Sequence, residues 1–115
     1  MTKIALAVFL ANEATKASIQ AAQMKIMEEC KKDMGVFSKK TAFYHDSASY
    51  RTGAFNAYCS SLYALVGTSN KKLSFRIETV SAWFLRANGN RYPYEYQKVT
   101  LLVNGEEVKE EDING

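Results

Sequence analysis

Between Leu73 and Val103 polar and apolar residues alternate at a period of two, and the alternation breaks at Asn88-Gly89. That period belongs to strands, and Asn-Gly suits the two-residue type I′ turn, whose central positions both need positive φ. Turning there pairs Ala87 with Asn90, Leu85 with Tyr92, Trp83 with Tyr94 and Ile77 with Thr100. Asn104-Gly105 repeats the signal and folds back a short third strand, so that Val108 meets Leu101. Pro93 fits this meander, because beyond the short third strand one flank of the middle strand is unpaired.

Upstream the period lengthens. Residues 4–10 are continuously apolar, the pattern of a strand covered on both faces, although the alanines leave a helical reading open. Asn12 caps an expected helix from Glu13 to about Asp33, with Ile19, Ala22, Ile26, Cys30 and Met34 as its apolar stripe and Gly35 as its stop. Residues 36–45 read as a short edge strand or extended loop. Asp46 or Ser47 then caps a second helix to about Val66, with Phe55, Tyr58, Cys59, Leu62, Leu65 and Val66 facing inward and Gly67 ending it. The fold class is α+β. We expect a two-layer sandwich in which an antiparallel β-meander, joined by an N-terminal strand, packs on two α-helices.

Charge refines this picture. The chain of 115 residues is one domain, 1–115, and carries 15 basic and 12 acidic residues. Five of those acids fall in residues 106–112, so residues 106–115 read as an acidic tail on a basic body. Cys30 and Cys59 are far apart and lie on apolar helix stripes, where a free thiol behaves as a small hydrophobe. With no C-x-x-C, a reducing, cytoplasmic setting is expected. The apolar start mimics a short signal peptide but is far below the roughly 20 residues of a membrane span, and no membrane partner is expected.

Candidate chemistry gathers at the hairpin. In the Asn88-Gly89 register one face carries Leu73, Phe75, Ile77, Trp83, Leu85, Tyr92, Tyr94 and Tyr96. This face is either the core or a display of Trp83, Tyr92 and Tyr94 to a partner, since Tyr, Trp and Arg are enriched at binding hot spots. Arg86 and Arg91 fall opposite each other at the tip, where two guanidinium forks suit a phosphate or carboxylate pair; otherwise both splay into water. Lys31-Lys32, Lys39-Lys40 and Lys71-Lys72, with Arg76, Arg86, Arg91 and Lys98, are candidates for a basic patch that tracks phosphates.

Catalysis finds little support. His45-Asp46-Ser47 are sequence neighbours and cannot form a relay, which is assembled from distant positions. His45 is the single histidine, and two cysteines are too few for structural zinc. Ser69-x-x-Lys72 lacks companion motifs, and no phosphate-binding glycine loop occurs. No enzyme activity, metal or cofactor is expected.

The segment Arg76-Ile77-Glu78-Thr79-Val80, then Trp83-Phe84-Leu85 and Asn88-Gly89-Asn90-Arg91-Tyr92, resembles the terminal hairpin of small phage-encoded anti-CRISPR proteins. The resemblance implies an inhibitor that occludes a guide- or target-nucleic-acid channel on a host ribonucleoprotein, with Arg76, Arg86 and Arg91 at stake. The expectation from sequence is therefore a non-enzymatic binding protein, plausible as a phage-type inhibitor acting in the host cytoplasm by protein–protein contact. Direct nucleic-acid binding through the basic aromatic hairpin is one alternative. A structural subunit that self-assembles through its open sheet edge or aromatic face is another.

Overall fold

The structure, a computed structural model, describes residues 2–33, 39–68 and 72–108, without the side chains of Lys32, Asp33, Lys39 and Lys40. Helices α1 (Lys3–Asp33) and α2 (Lys39–Gly67) precede strands β1 (Leu73–Leu85), β2 (Arg91–Val103) and β3 (Glu106–Glu107). The strands form one antiparallel sheet in the order β1-β2-β3. This is an α+β fold. Met34, Gly35, Ser69, Lys71, residues 36–38 and the tail from 109 onward lie outside the described residues.

The strand expected at residues 4–10 is instead the beginning of α1. A wholly apolar run fits either period, and the alanines decide it. Ile4, Ala7, Ala11, Ala14, Ala17 and Ala21 recur at three- and four-residue steps, and all are buried. Alanine has the highest helix propensity, so the same residues form the helix and line its inner face. Thr2 begins it, its Oγ1 accepting from the Ala5 amide at 3.1 Å. Asn12 is therefore an exposed residue within α1 and not a cap.

α2 begins at Lys39, so residues 39–45 are helical rather than extended, and Asp46 and Ser47 lie inside the helix rather than capping it. No glycine or proline intervenes before Gly53, and nothing else stops the helix from reaching back. Thr41, Ala48, Phe55 and Leu62 follow one another at seven-residue spacing, and the first, second and fourth are buried. The expected stripe from Phe55 to Val66 faces inward and the helix ends at Gly67. On α1 the sequence Ala7, Ala11, Ala14, Ser18, Ala21, Lys25, Glu28 keeps the complementary three-four spacing. The helices run antiparallel: Glu28 Oε1 and His45 Nδ1 are 3.0 Å apart at one end, and Lys3 Nζ donates to the Thr68 carbonyl at the other. Small side chains along this seam let the two axes approach closely.

The core lies toward the Lys3–Thr68 end. Ile4, Ala7, Ala11 and Ala14 of α1 enclose Leu62 of α2, Leu73 of β1, and Val99 and Leu101 of β2. Leu62 is completely buried. The molecule measures 54 × 24 × 20 Å with a radius of gyration of 17.1 Å. A compact chain of this length has about 13 Å, so the fold is elongated along its helices.

The hairpin runs beside α1 and meets it at the outer edge of β2. There the Thr15 hydroxyl accepts from the Val99 amide at 2.9 Å and the Ser18 hydroxyl accepts from the Gln97 amide at 2.8 Å. Odd-numbered residues of β2 thus direct their backbone groups away from β1, and helix hydroxyls satisfy two of them. Pro93 has the same parity, so its missing N–H costs the β1–β2 ladder nothing. Further along, Gln23 Nε2 donates to Tyr94 Oη at 3.3 Å.

Candidate functional site

Both hairpin turns use Asn-Gly, but in different ways. At the second, Asn104 and Gly105 both have positive φ, at 54° and 81°, and Val103 pairs with Glu106. This is the expected two-residue turn, and the Val108 amide donates to the Leu101 carbonyl as the register requires. At the first turn only Gly89 is left-handed, at 86°. The Gly89 amide donates to the Arg86 carbonyl at 2.9 Å, the Arg86 amide donates to the Asn90 carbonyl at 3.0 Å, and Asn88 Oδ1 accepts from the Asn90 amide. The loop is therefore three residues, Ala87-Asn88-Gly89, a tight turn closed by a left-handed glycine.

That extra residue shifts every β1–β2 pair by one position. Leu85 pairs with Arg91, Phe84 with Tyr92, Trp83 with Pro93, Ala82 with Tyr94 and Ile77 with Val99. Because a one-residue slip moves side chains to the opposite face, the expected surface is redistributed. Arg86 shares the even-numbered side with Phe84, Tyr92, Tyr94 and Tyr96, all half-buried. Arg91 shares the odd-numbered side with Trp83, Leu85 and Pro93. The two arginines do not form a fork at the tip, and Trp83 does not share a face with Tyr92 and Tyr94.

Burial also changes parity along the hairpin. At its base Leu73, Phe75, Val99, Leu101 and Val103 turn inward; toward the tip Val80, Ala82, Phe84, Tyr92, Tyr94 and Tyr96 do so. Two-stranded ribbons twist strongly, and a ribbon of thirteen-residue strands presents first one face and then the other to its neighbours. The odd-numbered face near the tip is left in water. Trp83 is 67% exposed, Leu85 63% and Ile77 46%, and all three belong to β1. A shallow depression beside them is lined by Ser81, Ala82, Trp83, Pro93, Tyr94 and Glu95.

The basic residues expected to join them are dispersed. Arg76 bonds through Nε to Glu78 and through Nη2 to Glu107, the latter at 3.0 Å. These bonds, Glu78 first, raise the affinity of the exposed guanidinium for its proton. Lys72 precedes β1, whereas Lys39 and Lys40 begin α2. α2 has 29 residues, so roughly 42 Å separates its two ends and these lysines do not form one patch. Among the described residues no group of three His, Cys, Asp or Glu side chains comes together as a metal-ligand set. No described helix is long and apolar enough to cross a membrane.

The sequence raised an open sheet edge without showing which of the two edges it is. The outer edge of β2 is occupied by Thr15, Ser18, Pro93 and β3. Among the described residues no strand lies beside the outer edge of β1, which runs for thirteen residues and contains no proline or glycine. The signal was present as the missing edge protection, but it needs the strand order to be read. No family model, no curated protein and no solved structure shows a significant match to this chain.

Proposed function

We propose that the chain is a non-enzymatic binding protein acting by protein–protein contact, through the outer edge of β1 and the odd-numbered face beside it. The observation that carries this reading is the grouping of Ile77, Trp83 and Leu85, exposed and of one parity, on a strand whose backbone edge is open. Open edges bind by adding a strand, with alternate side chains supplying specificity. Trp83 is the anchor, Leu85 and Ile77 extend it, and Arg91 lies at its rim. The narrower reading, a phage-type inhibitor that occludes a CRISPR-type complex in the host cytoplasm, rests on the resemblance of residues 76–92 alone. It loses the paired-arginine contact, and of the three expected aromatic anchors only Trp83 stays on the exposed face.

The test is affinity capture with Trp83→Ala/Leu85→Ser beside Tyr50→Ala/Tyr63→Ala, which removes exposed aromatics from α2. We expect specific partners to be lost from the first variant and retained by the second. Retention by both would remove the hairpin from consideration. The dispersal of the lysines disfavours nucleic acid as the partner, and a binding constant for single-stranded DNA that falls steeply with salt would reverse that judgement.

A further inference from the structure

Resting on the protein-binding reading above, we infer that the outer edge of β1 pairs with the same edge of a second copy of this chain, antiparallel about a two-fold axis through Thr79. Three features of the strand select this occupant and this register. First, the odd-numbered residues of β1 direct their amides and carbonyls outward, because the Arg86–Asn90 bond and the Asn104–Lys72 bond assign the even-numbered ones to β2. Two copies can therefore exchange hydrogen bonds only where odd residues face odd residues.

Second, charge restricts the choice within that set. β1 carries only Arg76 and Glu78. An axis through Glu78 would set two carboxylates directly opposite each other, which is unfavourable. An axis through Ile77 would leave Trp83 and Leu85 beyond the end of the partner strand. The axis through Thr79 avoids both problems and engages all thirteen residues. Arg76 then faces Ala82 of the other copy and Glu78 faces Val80, so no like charges meet.

Third, the apolar residues match across this axis. Phe75 of each copy lies opposite Trp83 of the other, Leu73 opposite Leu85, Ile77 opposite Ser81, and Thr79 opposite itself. Aromatic pairs and Thr–Thr pairs are among the favourable cross-strand contacts. Leu73 and Phe75 belong to or pack on the core, so the exposed Trp83 and Leu85 of one copy come to rest beside the covered end of the other. An isologous contact of this kind closes as a dimer and leaves no β1 edge free to propagate.

The experiment measures mass in solution by sedimentation equilibrium, with the emission of Trp83, the single tryptophan, as a second readout. We expect twice the chain mass, and a concentration-dependent blue shift as Trp83 leaves water. Ile77→Lys/Ser81→Lys sets two lysine pairs across the axis and is expected to halve the mass. Ile77→Glu/Ser81→Lys replaces them by two ion pairs and is expected to restore the dimer. Both sites are exposed, and unchanged far-UV dichroism identifies a folded variant. A wild-type chain that stays monomeric at the highest attainable concentration overturns the inference, as does the same mass for both variants. The affinity-capture test still decides the broader reading, because a monomer that loses its partners with Trp83→Ala/Leu85→Ser remains a binding protein.

Discussion

Replacing Thr15 by valine tests how the sheet is joined to the helices. The two side chains have nearly the same shape, so the change removes an oxygen and leaves no hole. That oxygen accepts from the amide of Val99, a residue only 3% exposed, and its own hydrogen is directed to the Ala11 carbonyl at 3.0 Å. With valine the amide faces a methyl group. A buried donor deprived of its acceptor costs about 1–3 kcal/mol. For a domain near this size that corresponds to roughly 5–15 °C in melting temperature. Thr15→Ser is the matched control, since it keeps the bond and loses one methyl, about 1 kcal/mol. Urea titration followed by far-UV dichroism measures both, and the valine variant should lower the midpoint at constant slope. Amide exchange at Val99 supplies a local readout, with protection lost in Thr15→Val and kept in Thr15→Ser. Equal midpoints and equal protection in the two variants would refute the claim that helix hydroxyls satisfy the β2 edge.

Four further outcomes follow from the structure. Leu62→Ala empties the most enclosed large side chain and should cost about 2–5 kcal/mol, read from the same urea titration. Gly89→Ala meets no neighbouring atom but places a Cβ at φ +86°, so it should lose about 1–2 kcal/mol to backbone strain, whereas Gly53→Ala within α2 should gain stability. Burial pushes the Cys59 thiol above its ordinary value of 9.0. The folded state therefore favours the protonated form, and its contribution is complete below 9.0 and lost as pH rises through the raised folded value. Alkaline unfolding curves should be shallower for Cys59→Ala than for the wild type.

Much of this was legible from residue spacing. The α2 stripe, its glycine stop, the long hairpin and the Asn104-Gly105 turn all follow from local rules, because each is decided by residues close in sequence. The errors have equally specific causes. An apolar run such as residues 4–10 satisfies both periods, and only the alanines continuing to Ala21 show that the helical one is in force. Asn-Gly can occupy the centre of a two-residue loop or the end of a three-residue one. The choice at Asn88 depends on strand pairing far from the turn, and it put Arg86 and Arg91 on opposite faces and separated Trp83 from Tyr92 and Tyr94. The exposure of Trp83 was beyond reach for another reason, since it reflects the twist of the whole ribbon against α1 rather than any local pattern.

The bond between Thr15 and Val99 spans 84 positions of the chain. At ordinary translation speeds of about 5–20 residues per second, α1 emerges from the ribosome some 4–17 seconds before its strand partner. Leu62 itself emerges 37 and 39 residues ahead of Val99 and Leu101, so for about 2–8 seconds it lacks their cover. A nascent chain in this condition is a natural client for chaperones that bind greasy segments, and synthesis pauses placed before β2 would lengthen its exposure.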